Sequence, residues 1–213
     1  MHLLLTITGK GVTFRHLVIV QGRLLPEGER GFFKIIFSQW KTLVGRKDWG
    51  LERFIIWLAT ASYSGYFPFA PGTAGTVVGV LVYFLFSPYP TPIYLLSTVT
   101  TFFLAWWASE KAETIFKEKD SPRIVIDEVV GYLITMALHP PSIPTAIGGF
   151  LFFRVFDIMK IPPAGFVHRQ MKGGLAVVLD DAIAGIYANL LLQSIIWYYP
   201  DFLHLGRWVF GPN

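Results

Sequence analysis

The chain has 213 residues, 53% of them hydrophobic and 16% aromatic, only 15% charged, and no cysteine. Soluble domains carry about 25% charged residues, so this composition points to an integral membrane protein, and the missing cysteine excludes disulfides, thiolate metal sites and cysteine nucleophiles. The net charge of +4 is unevenly placed: residues 1–53 hold nine Lys/Arg against Glu27, Glu29, Asp48 and Glu52, a basic flank suited to anionic lipid, with no motif for reading nucleic acid.

Residues 1–25 alternate loosely (Leu3, Leu5, Ile7; Leu17, Ile19, Val20), which fits a β-hairpin or an unordered arm. Leu3–Leu5 is too short to be the core of a secretory signal. Residues 31–47 mix bulky apolar and basic side chains at rough helical spacing, an interfacial-helix pattern. A charge-free run of 56 residues then extends from Phe54 to Ser109. Within it, Phe54–Phe67 is too short to span a bilayer and reads as a re-entrant or interfacial helix. Pro68, Pro71 and Gly72 break the chain before two apolar helices, Thr73–Phe86 and Ile93–Ser109, joined by a proline-rich turn. Gly75 and Gly79 form a GxxxG face for close helix packing.

The polar stretch after Lys111 reads as a solvated loop or helix end. Two apolar segments follow on either side of a turn at His139–Pro144, and a last apolar helix is expected over Ala182–Tyr199. The predicted fold is all-α: a polytopic helical membrane protein with short helices, some re-entrant or interfacial. Its predicted parts are a basic N-terminal extension (1–53), a membrane-embedded domain (54–200) and a short tail (201–213).

Five carboxylates interrupt this apolar sequence in three clusters: Asp127–Glu128, Asp157 and Asp180–Asp181. In a helical hairpin turning at His139–Pro144, Asp127 and Asp157 fall at the same end, about 18–20 Å from the turn. Two carboxylates 4 Å apart repel by about 4 kcal/mol at an effective dielectric of about 20. A hard divalent cation between them resolves the conflict. One acid of Asp127–Glu128 would then bind metal while the other orients water or acts as a base. Arg154, Asp157 and Lys160, spaced three apart, line one helical face as either an ion ladder or a phosphate clamp. Gly173–Gly174, preceded by Arg169 and Lys172, offers backbone N–H groups and cations to an anion. Asp180–Asp181 open the expected last helix, where one of them would serve as a cap. His139 reads as structural, His168 as a ligand or supporting group, and Thr73 and Thr76 as helix-start residues.

Four segments occur in order with matched spacing: Ala70–Thr76 (APGTAGT), Ile124–Gly131 (IVIDEVVG), Phe153–Lys160 (FRVFDIMK) and Gly173–Gly185 (GGLAVVLDDAIAG). Together they resemble the phosphatidylglycerophosphatase A family from about Leu58 to Leu192. The resemblance implies an all-helical, Mg²⁺-dependent lipid phosphatase of bacterial membranes, and the positive-inside rule, with most Lys/Arg on the side of the acids, expects an inner-membrane site facing the cytoplasm. The implied substrate is phosphatidylglycerol phosphate. It carries over Asp127, Glu128, Asp157, Asp180 and Asp181 as acidic positions that bind metal or catalyse, with Arg154 and Lys160 beside them. Thr73 and the Gly173–Gly174 pair match its other polar and glycine positions, and together with Arg169 and Lys172 they are the expected substrate contacts. The chain departs from the family at Ile161, at His168 and at Ala176. The alternative from another class is a small cation- or proton-coupled carrier, which requires acids near the bilayer midplane and an internal repeat.

Overall fold

The computed structural model describes residues 50–162 and 173–198, together with the backbone of residues 19–20 and 23–24. Two compact units divide at Lys47/Asp48. In the first, Ile19–Val20 (β1) and Arg23–Leu24 (β2) pair antiparallel, Ile19 opposite Leu24. The interfacial helix expected at 31–47, the tail 201–213, and His168, Arg169 and Lys172 lie outside the described residues.

Six α-helices are described in the second unit: α1 (Leu51–Ala59), α2 (Pro71–Phe86), α3 (Thr91–Phe116), α4 (Ile126–Thr135), α5 (Ile143–Met159) and α6 (Gly174–Tyr198). α4 is the hub, packed against α2, α3, α5 and α6. Its ten residues are buried on nearly every side, as expected of a helix without a polar face.

Small residues let the other helices close on it. In α2, a Cβ added at Gly75 would lie 2.6 Å from Val125 Cβ, and one at Gly79 would lie 3.1 Å from Tyr132 Cβ. This is the close packing expected of the GxxxG face. α4 and α6 cross at Gly131 and Gly185: a Cβ on Gly185 would strike the Gly131 carbonyl, and one on Gly131 would lie 2.8 Å from the Asp181 carbonyl oxygen. Thr135 seals the crossing, its hydroxyl 2.9 Å from Gly131 O and 3.4 Å from Gly185 O. Asn189 of α6 places its amide nitrogen 2.8–3.2 Å from the carbonyls of Ile134, Thr135 and Ala137, supplying the donors that the C-terminus of α4 lacks. Behind them, Tyr83, Tyr94 and Tyr132 meet edge to face around Tyr83, each 6.1 Å from its ring.

Several boundaries differ from expectation. Residues 54–67 are not one apolar segment: α1 ends at Thr60, whose hydroxyl donates to Ile56 O. Ala61, Ser62 and Tyr63 then take positive φ, and a short 3-10 turn covers Ser64–Tyr66. α3 continues through the polar EKAETIF to Phe116, because Glu, Lys and Ala are strong helix formers whose charges remain solvated. α6 begins at Gly174, eight residues before the expected start, so Asp180 and Asp181 sit inside the helix and neither caps it.

Among the described helices one, α6, is long and apolar enough to cross a membrane, and about half of that stretch (56%) is buried in the protein. α2 is apolar but shorter. The outward faces nevertheless carry large apolar side chains, among them Leu81, Leu85, Leu96, Val99, Leu151 and Leu190.

Candidate active site

The first turn of α4 carries Asp127 and Glu128. The last turns of α5 carry Arg154 and Asp157, and Lys160 follows at its C-cap with φ 45°. The second and third turns of α6 carry Asp180 and Asp181. The Gly131–Gly185 crossing lies one turn beyond both acid pairs, so it fixes the spacing between α4's acids and Asp181. All five acids expected to converge do so.

They are not equivalent. Asp157 accepts from Arg154 Nη1 at 2.6 Å, and Asp180 accepts from Lys160 Nζ at 2.5 Å. The remaining three form a cluster: Asp127, Glu128 and Asp181 each bring an oxygen within 4.8 Å of the others. Asp127 and Asp181 are 7% and 5% exposed. Asp127 Oδ1, Glu128 Oε2 and Asp181 Oδ2 are buried without a hydrogen-bond partner. Among the described residues Arg154 reaches this trio, its Nη1 3.9 Å from Glu128 Oε1 though bonded to Asp157 at 2.6 Å, and the charge of Lys160 also acts on Asp181.

Burial pushes the Asp127 carboxyl up to about 6; the charges of Asp157 and Asp120 add to the rise, and hydrogen bonding from Glu128 opposes it. Glu128 is held well above the ordinary carboxylate range, first by burial and then by the charges of Asp127 and Asp181. Without a cation, these groups are therefore driven toward protonation. Three carboxylates that each bring an oxygen within one ion's reach, and each hold a buried oxygen without a partner, are what a hard divalent cation requires. The donor set contains no nitrogen or sulfur and fits Mg²⁺.

The N-terminus of α2 closes another side. A Cβ on Gly72 would strike Glu128 Oε1 and lie 3.1 Å from both terminal nitrogens of Arg154. The first intrahelical carbonyl, Ala70 O, accepts from Ala74 N–H, so the N–H groups of Gly72 and Thr73 belong to the unpaired first turn. Thr73, the next residue, is half-buried. Gly72 was read from sequence only as a helix breaker, and its close approach had no sequence signal. Asp120, read as part of a solvated loop, lies near enough for its charge to act on Asp127 and Lys160.

The Gly173–Gly174 pair is placed differently from the anion cradle expected. Gly174 N–H donates to Glu110 Oε2 of α3 at 2.7 Å, so that donor is engaged within the protein. His139 is buried in the α4–α5 turn, away from the acids.

A family model described as Phosphatidylglycerophosphatase A matches residues 57–196. A protein of Bacteroides thetaiotaomicron named "Putative phosphatidylinositol-3-phosphatase" is 34% identical over 150 residues, 66% of this chain and 92% of the relative. A Haemophilus influenzae protein named "Phosphatidylglycerophosphatase A" is 33% identical over 146 residues, 66% of this chain and 88% of its own. One of the same name from Escherichia coli is 28% identical over 144 residues, covering 67% and 84%. No solved structure matches the chain.

Proposed function

The chain belongs to the phosphatidylglycerophosphatase A family, and from that premise we propose that it hydrolyses phosphatidylglycerol phosphate to phosphatidylglycerol and inorganic phosphate. The observation that carries the reading to this site is the division of its acids. Three stand in one cluster, each with a buried oxygen that has no hydrogen-bond partner, and two hold a guanidinium and an ammonium beside it. A phosphatase needs both halves, a place for a hard cation and positive groups for phosphate oxygens.

Asp127, Glu128 and Asp181 would hold Mg²⁺, which when bound would polarise a phosphoryl oxygen and offset the charge developing on it. Arg154 would turn its planar fork from Asp157 to two phosphate oxygens. Lys160, 42% exposed at the rim, would exchange Asp180 for a third. The N–H groups of Gly72 and Thr73, in the open first turn of α2, would add donors for the same anion. Glu128, through the oxygen it does not give to the ion, would take a proton from the attacking water. The water oxygen bonds to phosphorus as the glycerol oxygen leaves with its electron pair and takes up the proton that Glu128 removed from the water. A phospho-aspartyl route on one of these acids is the covalent variant, separable by ¹⁸O-water incorporation under single turnover.

We place the enzyme in the bacterial inner membrane with the site facing the cytoplasm. The exposed apolar faces of α2, α3 and α5 support lipid contact, and the basic N-terminal segment supports that orientation. The acyl chains of the substrate would stay in lipid while its phosphate reaches the polar end of α4. The carrier alternative gains nothing from acids placed at the start of α4 and the end of α5.

The test is phosphate release from phosphatidylglycerol phosphate by detergent-purified protein, in Mg²⁺ or in EDTA. Mg²⁺-dependent release, reduced at least about a hundredfold in Asp127→Ala, is expected. Full activity in both Asp127→Ala and Asp157→Ala would sink the site assignment. The name of the Bacteroides thetaiotaomicron relative makes a phosphatidylinositol 3-phosphate arm of the same assay the measure of head-group selectivity.

A further inference from the structure

We propose that Glu110 of α3 is a positioning residue for the site: it anchors the first turn of α6 and so sets where Asp180 and Asp181 stand. The inference rests on the site reading above but concerns a residue outside it. Glu110 Oε2 accepts the Gly174 N–H at 2.7 Å across 64 residues of sequence. It thereby satisfies one of the donors that a helix N-terminus leaves open and sets a negative charge at the positive end of the helix dipole.

The double glycine is explained by this contact. Gly173 has φ +86°, and a Cβ there would lie 2.6 Å from Glu110 Oε2. A Cβ on Gly174 would strike the Glu110 backbone nitrogen and lie 2.7 Å from Trp106 O. Both glycines therefore admit the α3 backbone and the Glu110 carboxylate against the start of α6. Buried Ala105, Ala108, Ser109 and Ala112 keep that flank of α3 small.

The consequence for chemistry is one of distance. Asp181 is seven residues beyond Gly174, about 10 Å along the helix axis and less than two turns away. A helix of this length moves as a rod, so a shift of its first turn reaches Asp180 and Asp181 with little loss. Catalytic geometry tolerates little of that, since a displacement of about 1 Å can cost about a hundredfold in rate. At its other end, α6 is held by the Gly131–Gly185 crossing and by Asn189. Glu110 is the fixation on the near side of the acids.

The full-length protein in detergent, as wild type, Glu110→Ala and Glu110→Gln, tests this with three readouts. These are hydrogen exchange over residues 174–181, the rise in Tm on adding Mg²⁺ or Mn²⁺, and kcat and KM for phosphate release. In Glu110→Ala we expect faster exchange confined to that stretch and a smaller ion-induced rise in Tm. We also expect kcat to fall about tenfold or more, with KM within about twofold. Glu110→Gln, which keeps an acceptor oxygen, should recover most of each. Wild-type values in Glu110→Ala would overturn the proposal. So would a lower Tm with ion response and turnover intact, since Glu110 would then only stabilise. If Glu110→Ala does not fold, Glu110→Asp, one methylene too short, takes its place. If the wild type shows neither ion response nor turnover, the phosphatase reading fails. The exchange data then decide the anchor alone, with local acceleration supporting it and none overturning it.

Discussion

Among the described residues, Arg154 and Lys160 are bonded first to Asp157 and Asp180 rather than to Asp127, Glu128 and Asp181, and this dictates how the protein should respond to pH. Asp127 is raised to about 6 and Glu128 is held well above the ordinary carboxylate range, so the folded state keeps protons that the unfolded chain releases near pH 4. Without metal, stability should therefore fall as pH rises from the ordinary carboxylate range through about 6. A bound divalent ion must displace those protons, so its affinity should fall as pH drops through the same interval. Tm of EDTA-treated protein is expected to decline between about pH 5 and 7, while the Mg²⁺-induced rise in Tm grows. Flat profiles in both conditions would mean that these carboxyls titrate normally. Asp181→Asn, which relieves the repulsion, should raise Tm in EDTA by a few degrees and abolish the ion-induced rise. At this scale the sequence was informative about which acids converge, because charge in apolar sequence stands out and a hairpin has only one base. It could not say which acids stay unpaired: the pairings of Asp157 and Asp180 depend on side-chain distances that spacing does not encode.

The elements are joined at points where no side chain intervenes. Gly131→Ala and Gly185→Ala each push a methyl into the α4–α6 crossing and should cost about 1–3 kcal/mol. Gly148→Ala is the control, since its Cβ would meet only Leu192 Cδ1 at an ordinary 3.5 Å. It should be neutral or stabilising by up to about 1 kcal/mol through helix propensity. Chemical denaturation of the three variants in one detergent compares them. Equal stability for all three would show that the crossing yields without strain. The helices themselves were legible from apolar runs and proline turns, and the GxxxG of α2 was legible as a packing face. The start of α6 was not, because Gly-Gly reads as a break unless a partner for Gly174 N–H is known. Glu110 supplies that partner from another helix.

For the whole molecule, the apolar composition translates into outward faces of leucine, valine and isoleucine on α2, α3 and α5. Patches of this extent on a soluble monomer would drive association. The missing cysteine makes the surface easy to map, since every engineered thiol is the only one present. Single cysteines at Val99 and Leu151 are expected to react with a membrane-impermeant maleimide only after detergent is added. One at exposed Lys119 should react in inside-out vesicles but not in right-side-out ones. Labelling of Val99→Cys and Leu151→Cys in intact vesicles would place these faces in water. The helical class was readable from composition and run length. How many helices cross lipid was not, because α6, the one long apolar candidate among the described residues, also has over half of that stretch buried against its neighbours.

At Gly72 a single hydrogen atom separates an open site from a blocked one. The position holds the N-terminus of α2 against Glu128 on one side and the Arg154 fork on the other. Even a methyl there would wedge the guanidinium toward Asp157, where it already rests. The same methyl would strike Glu128 Oε1, so the trio of acids would be displaced together with the guanidinium. In the proposed reading the opening for phosphate is a property of helix register: Gly75 and Gly79, by setting how closely α2 packs on α4, would also set how wide it stands.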